Sequence, residues 1–358
     1  MRNTRVLLRR RLWPCVIGAQ LLLAPLSWAS AQPYVTTQGD WQAQPHLHAI
    51  DAGGGRQLNL WHVQGRVYML TGAGPNIIVQ LGEEATMVVN AGPRNMSPAV
   101  VTAISELSNR PIEFVIDTDA DAENVSGNAE VAKGGFENTG AFGGEPKGAG
   151  ILGQQGVLDD MVATKAPTQI WPTDAFGDDW QLYNDEAVML FHAPAAHSNA
   201  DTYVYFRGSD VICTGNLFDP LSYPVIEKNN GGTLSGVIDA LNNIIAIMVP
   251  RQNEEGGTYV VPGHGRMTDR SEIVSYRDAL TIIRARVAYD IGKGMSLEQV
   301  QNAHPSLDYD GLYGSDTGPW TTRMFLAAVY EDVQRMNDTA RHARSARTAS
   351  VPDERSQP

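Results

Sequence analysis

Acidic side chains at alternate positions follow an apolar, β-type run that ends at residue 116. The stretch Asp117-Thr-Asp-Ala-Asp-Ala-Glu-Asn124 places Asp119, Asp121 and Glu123 just after Ile112-Glu-Phe-Val-Ile116. Carboxylates a few ångströms apart raise one another's pKa, so such a cluster needs a cation, shared protons or open solvent. The residue types therefore indicate a cation site at the end of this strand.

Three further loops with polar side chains follow predicted strands. They are Pro194-Ala-Ala-His197-Ser, Thr214-Gly-Asn216 and Pro262-Gly-His264-Gly. Together with the acidic loop they predict one site at the strand ends. The residues predicted to form it are Asp119, Asp121, Glu123, Asn124, His197, Asn216 and His264.

The elements that must position these loops occur in two similar halves. Apolar β-branched runs predict strands at 60–63, 67–70, 76–81, 85–89 and 112–116 in the first half, and at 187–192, 202–206, 211–214 and 258–262 in the second. Helical spacing predicts helices at 97–108, 128–133, 234–248, 271–291 and 321–336. This order predicts an α/β fold, a four-layer αββα sandwich. The Gly-rich stretch 134–156 is predicted to be a long loop at the rim.

On these motifs the chain resembles the metallo-β-lactamase superfamily over roughly residues 41–336. The resemblance implies an αββα sandwich of metallo-β-lactamase type and hydrolysis by metal-bound water. Members usually carry Thr-His-x-His-x-Asp-His and bind two metals, commonly zinc. Here the matching stretch is Thr118-Asp-Ala-Asp-Ala-Glu-Asn124, and Asn216 stands where members have a bridging Asp. Only His197 and His264 are unchanged from the pattern that the resemblance implies.

The exchanged ligands change the expected metal. Zinc prefers imidazole and thiolate, whereas carboxylates favour hard cations such as Ca²⁺, Mg²⁺ or Mn²⁺. Without the bridging carboxylate, one ion is expected rather than a pair of zincs, or no ion at all. His197 with Asp119 and Asp121 would hold it, and Glu123 would act as a base or ligand. Asn216 or His264 would stabilise an oxyanion.

A calcium-loop spacing is a second interpretation of the same residues. Asp119, Asp121, Glu123 and Glu130 occupy positions one, three, five and twelve of such a loop. Asn124 stands at the sixth position, where Gly is usual, and Asn tolerates the left-handed conformation needed there. Against this interpretation, the segment follows a strand rather than a helix.

The first residues of the chain and its composition limit the possible functions further. Residues 1–31 have the charged, apolar and small-residue plan of a signal peptide, which predicts export to the periplasm or the outside of the cell. The formal charge is −13, and loss of the five Arg of the leader brings it to −18, which argues against nucleic acid as a partner. One cysteine, Cys213, would then remain, which excludes an internal disulfide and a thiolate zinc site.

The predicted organisation is a leader (1–31), a flexible segment (32–45), one metallo-β-lactamase-like domain (46–336) and a disordered tail (337–358), with no membrane span after leader cleavage. Two functions remain open. One is a hydrolase acting on an ester, an amide (lactam included) or a phosphoester. The other is a binding or scaffold protein that keeps the pocket for a small molecule without turnover.

Overall fold

The computed structural model describes residues 48–134, 148–253 and 257–349. The predicted leader, 1–31, and the predicted flexible segment, 32–45, lie outside the described residues. Within the described ranges, no helix combines the length and the apolar character needed to cross a bilayer.

The first half of the chain builds an eight-stranded sheet whose strands follow chain order. Strands β1 to β5 form an antiparallel meander, and β5 to β8 run parallel to one another. The strands are β1 His48–Gly53, β2 Arg56–Gln64, β3 Val67–Thr71, β4 Ile77–Leu81, β5 Thr86–Val89, β6 Ile112–Ile116, β7 Gly150–Gln154 and β8 Asp174–Phe176. The β6 strand matches the predicted run residue for residue.

The second half builds a six-stranded sheet in the order β14-β13-β12-β11-β10-β9. Its neighbours are antiparallel except for the parallel pair β12 and β13. The strands are β9 Trp180–Tyr183, β10 Ala187–His192, β11 Thr202–Phe206, β12 Val211–Gly215, β13 Tyr259–Pro262 and β14 Thr268–Asp269. Because β6, β10, β12 and β13 each precede a predicted site loop, the topology fixes where those loops meet.

The two sheets pack face to face and helices cover their outer faces. Alternate residues of one strand serve different layers, as the period of two in a β-strand requires. In β12, Val211 and Cys213 belong to the core between the sheets, whereas Ile212 packs under helices. Helices α1 and α3 cover the first sheet and α5, α6 and α9 cover the second. The predicted αββα sandwich is therefore confirmed.

The helices that the structure describes begin and end as follows. They are α1 Ser97–Leu107, α2 Ala122–Val125, α3 Asn128–Ala132, α4 Gln155–Ala163, α5 Leu234–Ile247, α6 Arg270–Gly292, α7 Leu297–Asn302, α8 Leu307–Tyr313 and α9 Thr322–Ala349. The sequence predicts α1, α3, α5 and α6 to within two residues at each end, and it does not predict α2, α4, α7 or α8.

Two predictions about irregular structure are wrong in part. The predicted loop 134–156 contains the buried strand β7 and the start of α4, while residues 135–147 lie outside the described residues. Gly150 suggests a loop by composition, yet a Cβ there would lie 2.9 Å from the Phe114 ring, so the glycine serves close strand packing. The predicted disordered tail from residue 337 is instead helical as far as Ala349, in a segment rich in Ala and Arg, which favour helices.

Gly236, in the first turn of α5, tests the packing of this helix against the loop that carries His197. A Cβ at Gly236 would overlap the carbonyl oxygen of Ala195. We expect Gly236→Ala to lower the free energy of unfolding by about 1–3 kcal/mol, as overpacking does. Chemical denaturation measures this change.

Gly292→Ala provides the matched control, because it also places a methyl group on a helical glycine. No atom lies within 4 Å of a Cβ at Gly292. This change should be neutral or stabilise the fold by up to about 1 kcal/mol. Equal destabilisation by the two variants would contradict the close approach of α5 to the His197 loop.

Candidate functional site

The predicted site loops meet at the carboxyl ends of β6, β10, β12 and β13. They enclose a cavity of about 210 Å³. Its polar lining includes Asp121, Glu123, His197, Asn216, Asp219, Glu227 and His264. Five of these seven residues belong to the predicted set, whereas Asp219 and Glu227 do not.

The turn after β6 is held by buried polar contacts within the first sheet and across to the second. The Asn90 Oδ1 atom accepts a hydrogen bond from the Thr118 N–H at 3.0 Å. The Thr118 carbonyl accepts from the Thr202 N–H of the other sheet at 2.7 Å. Gly215 lies against the same threonine with a φ of +51°, and a Cβ there would be 2.6 Å from Thr118 Oγ1. The Thr-Gly-Asn turn therefore needs glycine for both reasons.

Asp119 is buried and its carboxylate is surrounded by protein donors. Asn124 Nδ2 donates to Asp119 Oδ1 at 2.7 Å and to Oδ2 at 2.9 Å. The Thr118 hydroxyl and the Asp121 N–H donate at 3.0 and 2.9 Å. A carboxylate has about four lone-pair positions, and these contacts use them. Asp119 and Asn124, both predicted as ligands, thus bind each other and organise the loop.

Asp121 faces the cavity, as does Glu123 further along the same loop. Its Oδ2 atom accepts from Asn216 Nδ2 at 2.8 Å and lies 3.8 Å from His197 Nε2. Burial, followed by the nearby charge of Asp119, raises the pKa of Asp121 to about 7, although His197 opposes the shift. A neighbouring positive charge would therefore stabilise the ionised form of this carboxylate.

His197 is buried, with one nitrogen turned to a carboxylate and the other to the cavity. Its Nδ1 atom lies 3.3 Å from Asp201 Oδ1, and Asp201 Oδ2 accepts from the Ser198 N–H at 2.6 Å. Burial lowers the pKa of His197, but the hydrogen bond and charge of Asp201 outweigh it, and the pKa is raised to about 10. A carboxylate on Nδ1 that orients Nε2 is the usual support of a metal-binding histidine.

The loop that carries His197 is fixed by the first turn of α5. Thr233 caps this helix by accepting from the Gly236 N–H at 2.8 Å, and its hydroxyl lies 2.8 Å from the Ala195 carbonyl. The Thr233 N–H donates to the Ala196 carbonyl, also at 2.8 Å. The cap residue therefore determines both where the helix begins and where the histidine lies.

Glu227 is a site residue that the sequence prediction missed. Its N–H donates to the His197 carbonyl at 2.8 Å, and its Oε2 atom accepts from Asn230 Nδ2 at 2.7 Å. One ligand atom each from Asp121, His197 and Glu227 lie within 4.8 Å of one another. The available signal was an acid in the loop after Thr-Gly-Asn, but no fixed spacing marks it.

Glu123 and His264 form an ion pair at the mouth of the cavity. The Glu123 Oε1 and His264 Nε2 atoms are 2.8 Å apart. This hydrogen bond lowers the pKa of Glu123 and raises that of His264. Asn76 fixes the histidine loop because its Nδ2 donates to the carbonyls of Pro262 and Gly265 at 2.9 and 3.0 Å.

The donor set fits one divalent cation better than two. Asp121, His197 and Glu227 present two carboxylates and an oriented imidazole, a set suited to a hard ion with oxygen ligands. Of the other predicted ligands, Glu123 is paired with His264 and Asn124 with Asp119. The protein's own groups thus already satisfy one another at these positions.

The calcium-loop interpretation does not describe this segment. Residues 122–125 and 128–132 form the short helices α2 and α3. Glu130, which would be the twelfth-position ligand, pairs with Lys133 at 2.7 Å and with Arg94 at 3.5 Å. Asp119, which would be the first-position ligand, instead accepts a hydrogen bond from Asn124. The described geometry therefore forms no calcium loop.

Comparison with known proteins identifies the fold. No family model matches the sequence, and no curated protein does. Among solved structures, a metallo-beta-lactamase from Pontibacter korlensis aligns over 63% of this chain and 99% of its own, with 14% identity and a TM-score of 0.50. The sec-alkylsulfatase PisA1 from Pseudomonas sp. aligns over 76% of this chain, with 11% identity and a TM-score of 0.58.

A double mutant of PisA1 matches equally well, with a TM-score of 0.58. The chain spans about half the length of these alkylsulfatase chains. At such low identity the likeness concerns the fold, and the chain has the metallo-β-lactamase fold.

The contact between His197 and Asp201 predicts how the pKa of His197 changes when Asp201 is replaced. In Asp201→Asn the imidazolium loses its buried counter-charge, so the pKa of His197 should fall from about 10 towards its usual 6.5, with Asp119 and Asp121 still opposing the effect of burial. NMR titration of the histidine resonances of the metal-free protein measures this. The exposed His342 is the internal reference, and an unchanged His197 would contradict the assignment.

Proposed function

We propose that this protein is a hydrolase that uses one hard divalent cation, Mn²⁺, Mg²⁺ or Ca²⁺, rather than two zinc ions. The observation that carries the proposal is the convergence of Asp121, His197 and Glu227, with His197 oriented by Asp201. The fold is shared with a metallo-beta-lactamase and a sec-alkylsulfatase, which supports a hydrolytic role. The reactions in question are hydrolysis of an ester, an amide (lactam included) or a phosphoester.

Asp121, His197 and Glu227 would hold the cation. When bound, such an ion polarises a carbonyl or phosphoryl oxygen and lowers the pKa of a bound water. Asn216 donates to Asp121 Oδ2, which fixes the orientation of that carboxylate. In the free site a cation must displace the proton of His197, whose pKa is raised to about 10, and that of Asp121, whose pKa is raised to about 7. Binding should therefore weaken as the pH falls below about 10, and more steeply below about 7.

The Glu123–His264 pair would hold and donate a proton beside the ion. With Nε2 donating to Glu123, the raised pKa favours the protonated form of His264, whose Nδ1–H would donate to a substrate oxygen. His264 would thus stabilise an oxyanion or protonate a leaving group, while Glu123 holds the ring in place. A positively charged imidazole here takes over part of the role of a second cation.

A binding protein without turnover is the second candidate function. It is favoured by the degree to which the acids are already satisfied by protein donors: Asn124 on Asp119, Asn216 on Asp121 and His264 on Glu123. A site balanced in this way is stable without an ion. The leader-like first 31 residues support export of the protein in either case.

Metal binding tests the ligand set. Calorimetric titration with Mn²⁺ should give one site per chain, and Glu227→Gln should weaken binding at least about tenfold, since it removes a charged ligand. Glu298→Gln, an exposed acid on α7, is the matched control and should bind like the wild type. Two tightly held zinc ions in the native protein, or an unchanged affinity in Glu227→Gln, would overturn the assignment.

Turnover tests the enzyme directly. With Mn²⁺ present, the protein should hydrolyse at least one of p-nitrophenyl acetate, a chromogenic cephalosporin and p-nitrophenyl phosphate. His264→Gln should lower kcat about 10²–10⁴-fold with little change in KM, as expected for loss of a general acid. His342→Gln is the control on the exposed part of α9. Metal binding without turnover of any substrate would favour the binding protein.

A further inference from the structure

A second, larger cavity adjoins the candidate site. As bounded by the described residues, its volume is about 1030 Å³. Asp121 and Glu227 line both this cavity and the smaller one that contains His264. A ligand in the larger cavity therefore reaches the cation ligands directly. The volume is of the size that holds a small organic ligand.

The walls of the larger cavity include an apolar surface. Val125 and Met161 are buried side chains that contribute to it, and Ile170 adds a partly exposed one. Small side chains such as Ala129 leave the space open. Such walls suit an alkyl or aryl group, because apolar surface gains free energy when it leaves water.

The charged lining of the larger cavity is predominantly acidic. Beside Asp121 and Glu227 it contains Asp160, whose pKa is raised by partial burial and then by the charge of Glu227. The two basic side chains of the lining, Arg94 and Lys133, are both paired with Glu130, at 3.5 and 2.7 Å. Among the described residues of both linings, no arginine or lysine is left unpaired to receive an anion.

We infer that the larger cavity binds the apolar body of an uncharged substrate and that its acidic wall rejects anions. This inference rests on the proposed function and narrows it: the substrate is an uncharged carboxylic ester or amide rather than a phosphate or sulfate ester. Recognition of such anions in proteins relies largely on arginine or lysine donors, and among the described wall residues the two that are present are both paired with Glu130. A carboxylic ester or amide meets the acids without like-charge repulsion.

A matched pair of inert probes tests the inference without turnover. Hexanamide and hexanoate have the same carbon chain, but hexanoate is anionic at pH 7. Ligand-observed NMR or calorimetry, with the full chain and no added metal, should show hexanamide binding at least about fivefold more tightly. This is the factor expected for one like-charge contact in a partly screened cavity.

Two neighbouring aspartates supply the decisive comparison. Asp160 lines the cavity, whereas Asp159, the preceding residue of α4, is exposed and does not. Asp160→Lys should raise the affinity for hexanoate at least about fivefold and abolish the preference for hexanamide. Asp159→Lys makes the same change in net charge and should leave the preference as in the wild type.

A cavity-filling variant locates the binding. Ala129→Phe should remove hexanamide binding, and Ala340→Phe, on the exposed part of α9, should not. Equal affinity for the two probes, a preference for hexanoate, or no binding of either probe by the wild type would overturn the inference. Probe binding as expected, with no hydrolysis of any substrate, would instead overturn the proposed function alone.

Discussion

Buried carboxylates at the end of β6 must have their charge compensated, and this requirement shapes the whole edge of the molecule. Asp117 is fully buried, and Asn128 Nδ2 donates to both of its oxygens at 3.0 and 2.9 Å. Burial raises its pKa well above the usual range, although Asn128 opposes the shift. Asp119 receives Asn124 in the same way. An uncompensated buried charge costs several kcal/mol, so these amides are part of the fold.

The same compensation determines what the site is able to bind. Where an amide or imidazolium already satisfies a carboxylate, a metal must displace a good hydrogen bond to enter. That condition applies most strongly to Asp119, whose two oxygens both accept from Asn124, and to Glu123, which is paired with the His264 imidazole. At Asp121 and Glu227 each carboxylate receives one amide donor. The His197 Nε2 atom lies beside Asp121. The chemistry of the pocket is thereby concentrated in one place instead of being shared between two ions.

The sequence predicts the layers and the loops of this protein better than the roles within them. The strands β6, β10 and β11 are predicted to the residue because their apolar runs are bounded by turns. The strand β7 is missed because its glycines, needed for close packing, have the composition of a loop. The strand β9 is missed because most of it is exposed. Periodicity does not reveal either kind of strand.

Within the site, the sequence predicts proximity but not orientation. Spacing places Asp119 and Asp121 in one loop, yet nothing in it says that one faces Asn124 and the other the cavity. Glu227 is beyond sequence reasoning for a different reason. It reaches the site through a backbone hydrogen bond to His197, a tertiary contact that no local pattern encodes.

The origin of the three converging ligands has a mechanical consequence. Asp121 is anchored to the first sheet, whereas His197 and Glu227 belong to loops of the second. Any ion held by all three would act as a reversible cross-link between sheets that are otherwise joined by apolar packing and by hydrogen bonds such as that from the Thr202 N–H to the Thr118 carbonyl. A ligand that binds only the native state raises the melting temperature. The concentration of the ion would therefore set the stability of the protein as well as its chemistry.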